Sequence, residues 1–200
     1  MVAYLILAVL IVIWTAWVIQ AWLSAWQWRI FAGKFTHDPH DDPQLPQPKA
    51  VIIVPFKGVD LDLQTTLTRL CTLNYPDYEL LLVVDSAQDP AYALLQDQLQ
   101  LHPKRKARIL VAGQAGMHEG QKVHNQLYAI DHLLADKDES DQPEVWVFAD
   151  SDAIPGPDWL ADLVRPLFGR AVGMTTGYRW LEPVTGQDSV WLWSAAASVI

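Results

Sequence analysis

Apolar and polar positions along this chain fall into three regimes. Residues 1–28 hold 24 apolar side chains, broken only by Thr15, Gln20, Ser24 and Gln27, and carry no charge. About 20 apolar residues at 1.5 Å each cover the roughly 30 Å of a bilayer's hydrocarbon core, so the run predicts a transmembrane helix. A cleaved signal peptide fits less well, because the segment lacks a basic leader, a short apolar core and a clear small-residue cleavage site. It is also long for a buried core helix. Residues 29–48 are read as a Pro/Asp-rich linker, and within it Thr36 to Pro48, with four prolines and three aspartates around His37 and His40, predicts an extended chain. Mobile polar residues are the better account of those two histidines than metal ligands.

From residue 49 the pattern changes to apolar runs of strand length alternating with helix-spaced segments, which predicts a mostly parallel sheet with crossover helices. Strands are expected at 50–54, 79–84, 108–112 and 145–149. The first helix carries Leu63, Leu67 and Leu70 on one face, and the Asn74-Tyr75-Pro76-Asp77 turn follows. The second helix spans 90–101, with Ala91, Leu94, Leu95 and Leu99 on one side. A glycine-bearing loop at 113–120 leads into a third helix, whose Val123, Leu127, Ile130 and Leu134 read as its core stripe. The fold class is therefore α/β, preceded by one membrane helix.

Composition narrows the partners. Fourteen Lys plus Arg against 23 Asp plus Glu give a net charge of -9, which offers no basic field for a phosphodiester backbone and predicts no nucleic-acid partner. The short basic run around Lys104, Arg105 and Lys106 reads as solvated surface. A lone cysteine, Cys71, asks for no oxidising compartment and reads as a small buried residue. Trp22, Trp26 and Trp28, followed by Arg29 and Lys34, sit at the far end of the apolar run. Aromatic residues favour the headgroup layer and basic ones the cytoplasmic side, so the body is expected in the cytoplasm.

Ligands of open parallel sheets bind beyond the carboxyl ends of the strands. Those ends carry Pro55-Phe56-Lys57-Gly58, Asp85-Ser86, the 113–120 loop and Asp150-Ser151-Asp152. Asp150 and Asp152, one residue apart after a buried strand, suit a hard divalent cation, Mg2+ or Mn2+, which takes oxygen ligands and shares them with a diphosphate. A solvated turn accounts for such a pair equally well when it stands alone. Lys122 opens a helix, where backbone N–H groups and the helix dipole favour an anion. It reads either as a phosphate contact or as a solvated first-turn lysine. His118 and His124 have no partner at metal-ligand spacing.

The run Val-Ile-Ile-Val-Pro-Phe-Lys-Gly-Val-Asp from Val51 to Asp60 resembles the opening of inverting glycosyltransferase family 2. More narrowly it resembles the ceramide glucosyltransferase and bacterial hopanoid-type lipid glycosyltransferases. Leu73-Asn74-Tyr75-Pro76-Asp77-Tyr78-Glu79, Asp89-Pro90-Ala91, Lys122-Val123-His124-Asn125, Asp150-Ser151-Asp152 and Val172-Gly173-Met174-Thr175-Thr176-Gly177-Tyr178 follow in the family's order. The resemblance covers residues 49–180, and the N-terminal anchor fits it.

The resemblance implies a GT-A nucleotide-sugar (Rossmann-like) fold and a UDP-sugar donor whose diphosphate is held through a divalent cation on Asp150 and Asp152. It places Pro55, Lys57 and Asp85 around the uridine, and Lys122 and Asn125 near the donor. Ser86 stands where many members are acidic, which ranks Asp85 below the Asp150 and Asp152 pair. The family's catalytic base and its Gln/Arg-x-x-Arg-Trp motif are expected beyond Ile200, and Arg179-Trp180 falls too early to be that motif. The expected domains are therefore an anchor at 1–28, a linker at 29–48, and at 49–200 the donor-binding part of a catalytic domain. The expected activity is hexose transfer from a UDP-sugar to the hydroxyl of a ceramide- or hopanoid-like lipid. A polyprenyl phosphate or polysaccharide acceptor on the same fold, and a non-catalytic nucleotide-binding membrane module, are the alternatives.

Overall fold

The computed structural model describes residues 1–35, 46–136, 141–168 and 172–177. It divides into two compact units, Met1–Pro43 and Gln44–Ile200. The linker histidines His37 and His40 and the Arg179-Trp180 pair lie outside the described residues.

The first unit is one α-helix, α1 (Val2–Phe35). Its Tyr4–Ile30 stretch of 27 residues has a mean hydropathy of 2.2, long and apolar enough to cross a membrane. Large side chains such as Trp14, Trp17 and Trp22 are exposed, and the Trp22 and Trp26 rings stack 6.5 Å apart.

The second unit is built on a parallel sheet of β1 (Ala50–Pro55), β2 (Tyr78–Val84), β3 (Ala107–Val111) and β4 (Val145–Phe148). Its spatial order is β3-β2-β1-β4. Every residue of β1 and β2 is buried, because helices cover both faces, and this is why these strands read as continuous apolar runs with no alternation. On one face Ile52, Val54, Leu80 and Leu82 meet α2 (Leu63–Cys71), α3 (Pro90–Leu101) and α5 (Trp159–Val164). On the other, Val51, Ile53, Leu81 and Val83 meet α4 (Gln121–Asp136).

The helices form where the spacing places them. Leu63, Leu67 and Leu70 of α2 are buried as expected, and in α3 Ala91 and Leu95 are buried while Leu94 and Leu99 pack at the margin. Asp89 caps α3: its side chain accepts from the Ala91 N–H at 2.7 Å, and Pro90 occupies the first helical turn, where its missing N–H costs nothing. Between α2 and β2, the buried Tyr78 hydroxyl donates to the Leu70 carbonyl at 2.7 Å and accepts from the Leu73 N–H at 3.2 Å. The Arg105 guanidinium lies 3.6 Å over the Tyr78 ring, which gives one member of the basic run a structural partner.

The expectation for α4 is corrected. Of its apolar stripe, Val123, Leu127 and Leu134 are about half exposed, and only Ile130 packs at the edge of the core. The buried line is Asn125, Ala129 and Leu133. Positions 125, 129 and 133, four apart, set the face of α4 that meets the sheet, with Ile130 at its edge, and Val123, Leu127 and Leu134 lie off that face.

Candidate functional site

The strand order sets the location. From β1 the chain steps outward to β2 and β3, then returns to place β4 on the other side of β1. Loops at such a reversal part in opposite directions and open a crevice at the carboxyl ends of the two strands. At this point β1 delivers Pro55 to Asp60 and β4 delivers Asp150-Ser151-Asp152. The registers Pro55↔Val83 and Val84↔Val111 bring the ends of β1, β2 and β3 level, so Asp85 leaves β2 at the same edge.

The loop after β1 is held at both ends. The Phe56 N–H donates to the Val83 carbonyl at 2.7 Å, extending the pairing one residue past the strand. Gly58 follows with φ +69°, a left-handed conformation that a side chain would strain. Its N–H donates to both carboxylate oxygens of Asp89 at 3.0 Å. Further along, Asp60 accepts from the Ser151 hydroxyl at 2.8 Å, which ties this loop to the Asp150-Ser151-Asp152 turn. Pro55 is buried beneath the loop and Lys57 is exposed on it.

The third wall is the start of α4. The loop before it turns at Gly113, φ +81°. Gln121 stitches that loop to the helix by donating to the Gly113 carbonyl at 2.8 Å and accepting from the Ala115 N–H at 2.8 Å. Glu119 accepts from the Gly116 N–H at 2.9 Å and meets His124 Nδ1 at 2.9 Å, while His124 Nε2 lies 3.1 Å from the Ala112 carbonyl. The hydrogen bond from Gly116 first, and the neighbouring His124, hold the Glu119 carboxyl below the usual carboxylate range. Lys122 reaches across to Asp150, Nζ to Oδ1 at 2.5 Å, with both side chains partly exposed.

Of the residues predicted from the sequence, contacts join Asp150 to Lys122, and Ser151 of the same turn to the loop that carries Lys57. Asp152 is exposed on that turn and Asp85 is half-buried at the end of β2. Asn125 sits beneath the site: it is 1% exposed, donates to the Val83 carbonyl at 3.4 Å, and accepts from Gln121 at 2.7 Å. Its amide braces α4 against β2. The Asp60–Ser151 bond joins residues 91 apart in the chain and has no sequence signal. The Asp89 clamp was half visible, since Asp-Pro before a helix is a capping signature.

Among the described residues no group of three or more His, Cys, Asp or Glu side chains gathers as a metal site. The donor set at the crevice is a pair of carboxylates, Asp150 and Asp152, and a positive group, the Lys122 ammonium, already sits against one of them. Oxygen donors of this kind fit a hard divalent cation that takes its remaining ligands from phosphate oxygens and water.

This architecture is that of GT-A glycosyltransferases. A mannosyltransferase from Pyrobaculum calidifontis, solved with GDP-Man and Mn2+, superposes with a TM-score of 0.55 at 23% identity, covering 74% of this chain and 41% of that one. The glycosyl transferase family 21 model matches residues 5–192, and the chain belongs to that family. The narrower resemblance is matched as well. Ceramide glucosyltransferase 1 of Caenorhabditis elegans is 33% identical over 94 residues, 46% of this chain and 19% of that enzyme. Ceramide glucosyltransferase of Komagataella phaffii is 32% identical over 69 residues, 34% of this chain and 14% of that enzyme. The matched stretches thus span less than a fifth of these two relatives.

Proposed function

We propose that this protein is a membrane-anchored inverting glycosyltransferase that moves a hexose from a UDP-sugar to a lipid hydroxyl of the ceramide or hopanoid kind, with its sheet domain on the cytoplasmic side. The observation that carries the reading is the Asp150-Ser151-Asp152 turn at the β1/β4 reversal in a member of family 21. The apolar α1 and the Trp and basic residues near its end support the membrane and orientation parts.

Asp150 and Asp152 would hold a divalent cation, Mg2+ or Mn2+, whose chemistry is to offset charge growing on the leaving diphosphate. Lys57 and Asp85, above the buried Pro55, border the place for the nucleoside. Lys122, at the start of α4, offers a positive charge to the phosphates. Asn125 and Gln121 fix where that helix begins, and Ser151 with Asp60 fixes the angle of the acidic turn. A single in-line attack of the acceptor hydroxyl oxygen on the anomeric carbon, with the hydroxyl proton passing to a general base and the nucleoside diphosphate leaving from the other face, would invert the anomeric configuration.

Titration of the purified chain with UDP in the presence and absence of Mn2+, followed calorimetrically, tests the reading. Metal-dependent binding is expected, and Asp150→Ala with Asp152→Ala is expected to weaken it at least about 100-fold, the scale for losing charged ligands. Undiminished Mn2+-dependent binding by that double variant would show the metal assignment to be wrong.

A further inference from the structure

Lys122 is in a position that helix stability does not explain. It lies in the first turn of α4, where the positive end of the helix dipole disfavours a cation. Its stem is directed instead to Asp150, 28 residues away in sequence, with Nζ 2.5 Å from Oδ1. The oxygen it engages belongs to the pair best suited to a divalent cation. Ammonium and metal cannot both take that lone pair at bonding distance, and two positive charges held within about 4 Å repel one another.

We propose that Lys122 is an internal competitor for the cation site and couples the cation to the nucleotide. With Asp150 Oδ1 engaged by the ammonium, a divalent cation that takes that oxygen must displace Lys122. The displaced side chain is then an unsatisfied positive group at a helix N-terminus, beside the place where a diphosphate meets the cation. A diphosphate accepts it there. Each ligand therefore binds better with the other present, and by linkage the two enhancements are equal. The site admits the cation and nucleotide diphosphate together and discriminates against the cation alone. This inference rests on the proposed role of Asp150 and adds a regulatory role for Lys122.

The test uses the full 200-residue chain in detergent, with Mn2+ as probe. Free Mn2+ is followed by its paramagnetic resonance signal, with and without UDP. Lys122→Met is expected to bind Mn2+ alone about two- to fivefold more tightly than the unaltered chain, the scale of a partly exposed charge pair, and to bind UDP at saturating Mn2+ more weakly by a similar factor. Lys122→Arg, which keeps the charge, is expected to retain the coupling. Lys122→Gln repeats the measurement should the Met variant aggregate, and thermal unfolding confirms that the variants are folded. Mn2+ affinity that is unchanged or weaker in both neutral variants overturns the competitor role while leaving Asp150 as a ligand. Absence of any Mn2+ binding by the unaltered chain with UDP present overturns both the competitor role and the reading beneath it.

Discussion

Asp89 shows how much of the site depends on one carboxylate. It caps α3 through the Ala91 N–H and, with both oxygens, receives the Gly58 N–H of the loop that carries Lys57. Asp89→Ala should cost about 1–2 kcal/mol of stability, the loss of a cap plus a charged acceptor, read from the denaturant midpoint. Asp89→Asn, which still caps, should recover most of it. Glu119 makes a pH-dependent contribution. Its folded carboxyl is held below the unfolded one, so the unfolded chain binds more protons in that interval and stability rises with pH there. The contribution is fully present above the unfolded value, about 4.5, and is lost as pH falls through the folded one. Glu119→Gln should flatten the acid side of the Tm against pH curve by lowering Tm near neutrality, where the contribution is present, while leaving Tm little changed at pH values below both titrations. Cys71, buried on α2, has its thiol pushed up to about 11 by desolvation, with the nearby Arg105 opposing in part. At pH 8 only about one thiol in a thousand is then thiolate, so the folded chain should resist iodoacetamide and the unfolded chain should not.

The four strands were legible because burial on both faces writes an apolar run that little else produces. Predicted spans of 50–54, 79–84, 108–112 and 145–149 agree with β1 to β4 to within a residue at each end. The helix α4 was legible as a helix but not in its orientation. Periodicity identifies an apolar face without saying which neighbour it meets, and here Ala129 and the polar Asn125 take the sheet side while Val123, Leu127 and Leu134 lie out of the core. Leu133→Ala should accordingly cost about 2–5 kcal/mol, whereas Leu127→Lys should fall within about 0.5 kcal/mol of the parent; urea unfolding separates the two. Reversed magnitudes would restore the stripe read from the sequence. In the site, the strand-end aspartates were visible because topology fixes where strand ends lie. The Ser151–Asp60 and Lys122–Asp150 contacts were not, since each joins side chains brought together only by the finished fold.

At the scale of the sheet domain, the acidic turn depends on β4, a four-residue strand that among the described residues pairs only with β1, at Ala50↔Val145 through Ile53↔Phe148. That pairing closes nearly a hundred residues of intervening chain, a long loop to order for so few ladder bonds. The strand leading into the proposed metal ligands is thus lightly secured, and its amides should exchange with deuterium ahead of those of β1 and β2. A bound cation and nucleotide would bridge β4 to the β1 loop and to α4, so part of their binding free energy must appear as closure of that strand. Occupancy and local unfolding are then two readings of one equilibrium: saturating Mn2+ with UDP should slow exchange at residues 145–149 in proportion to ligand concentration over Kd, and leave the β2 and β3 amides little changed. The proposed cation and nucleotide site would act as the clasp of its own sheet, leaving the unliganded chain more open to proteolysis at this edge.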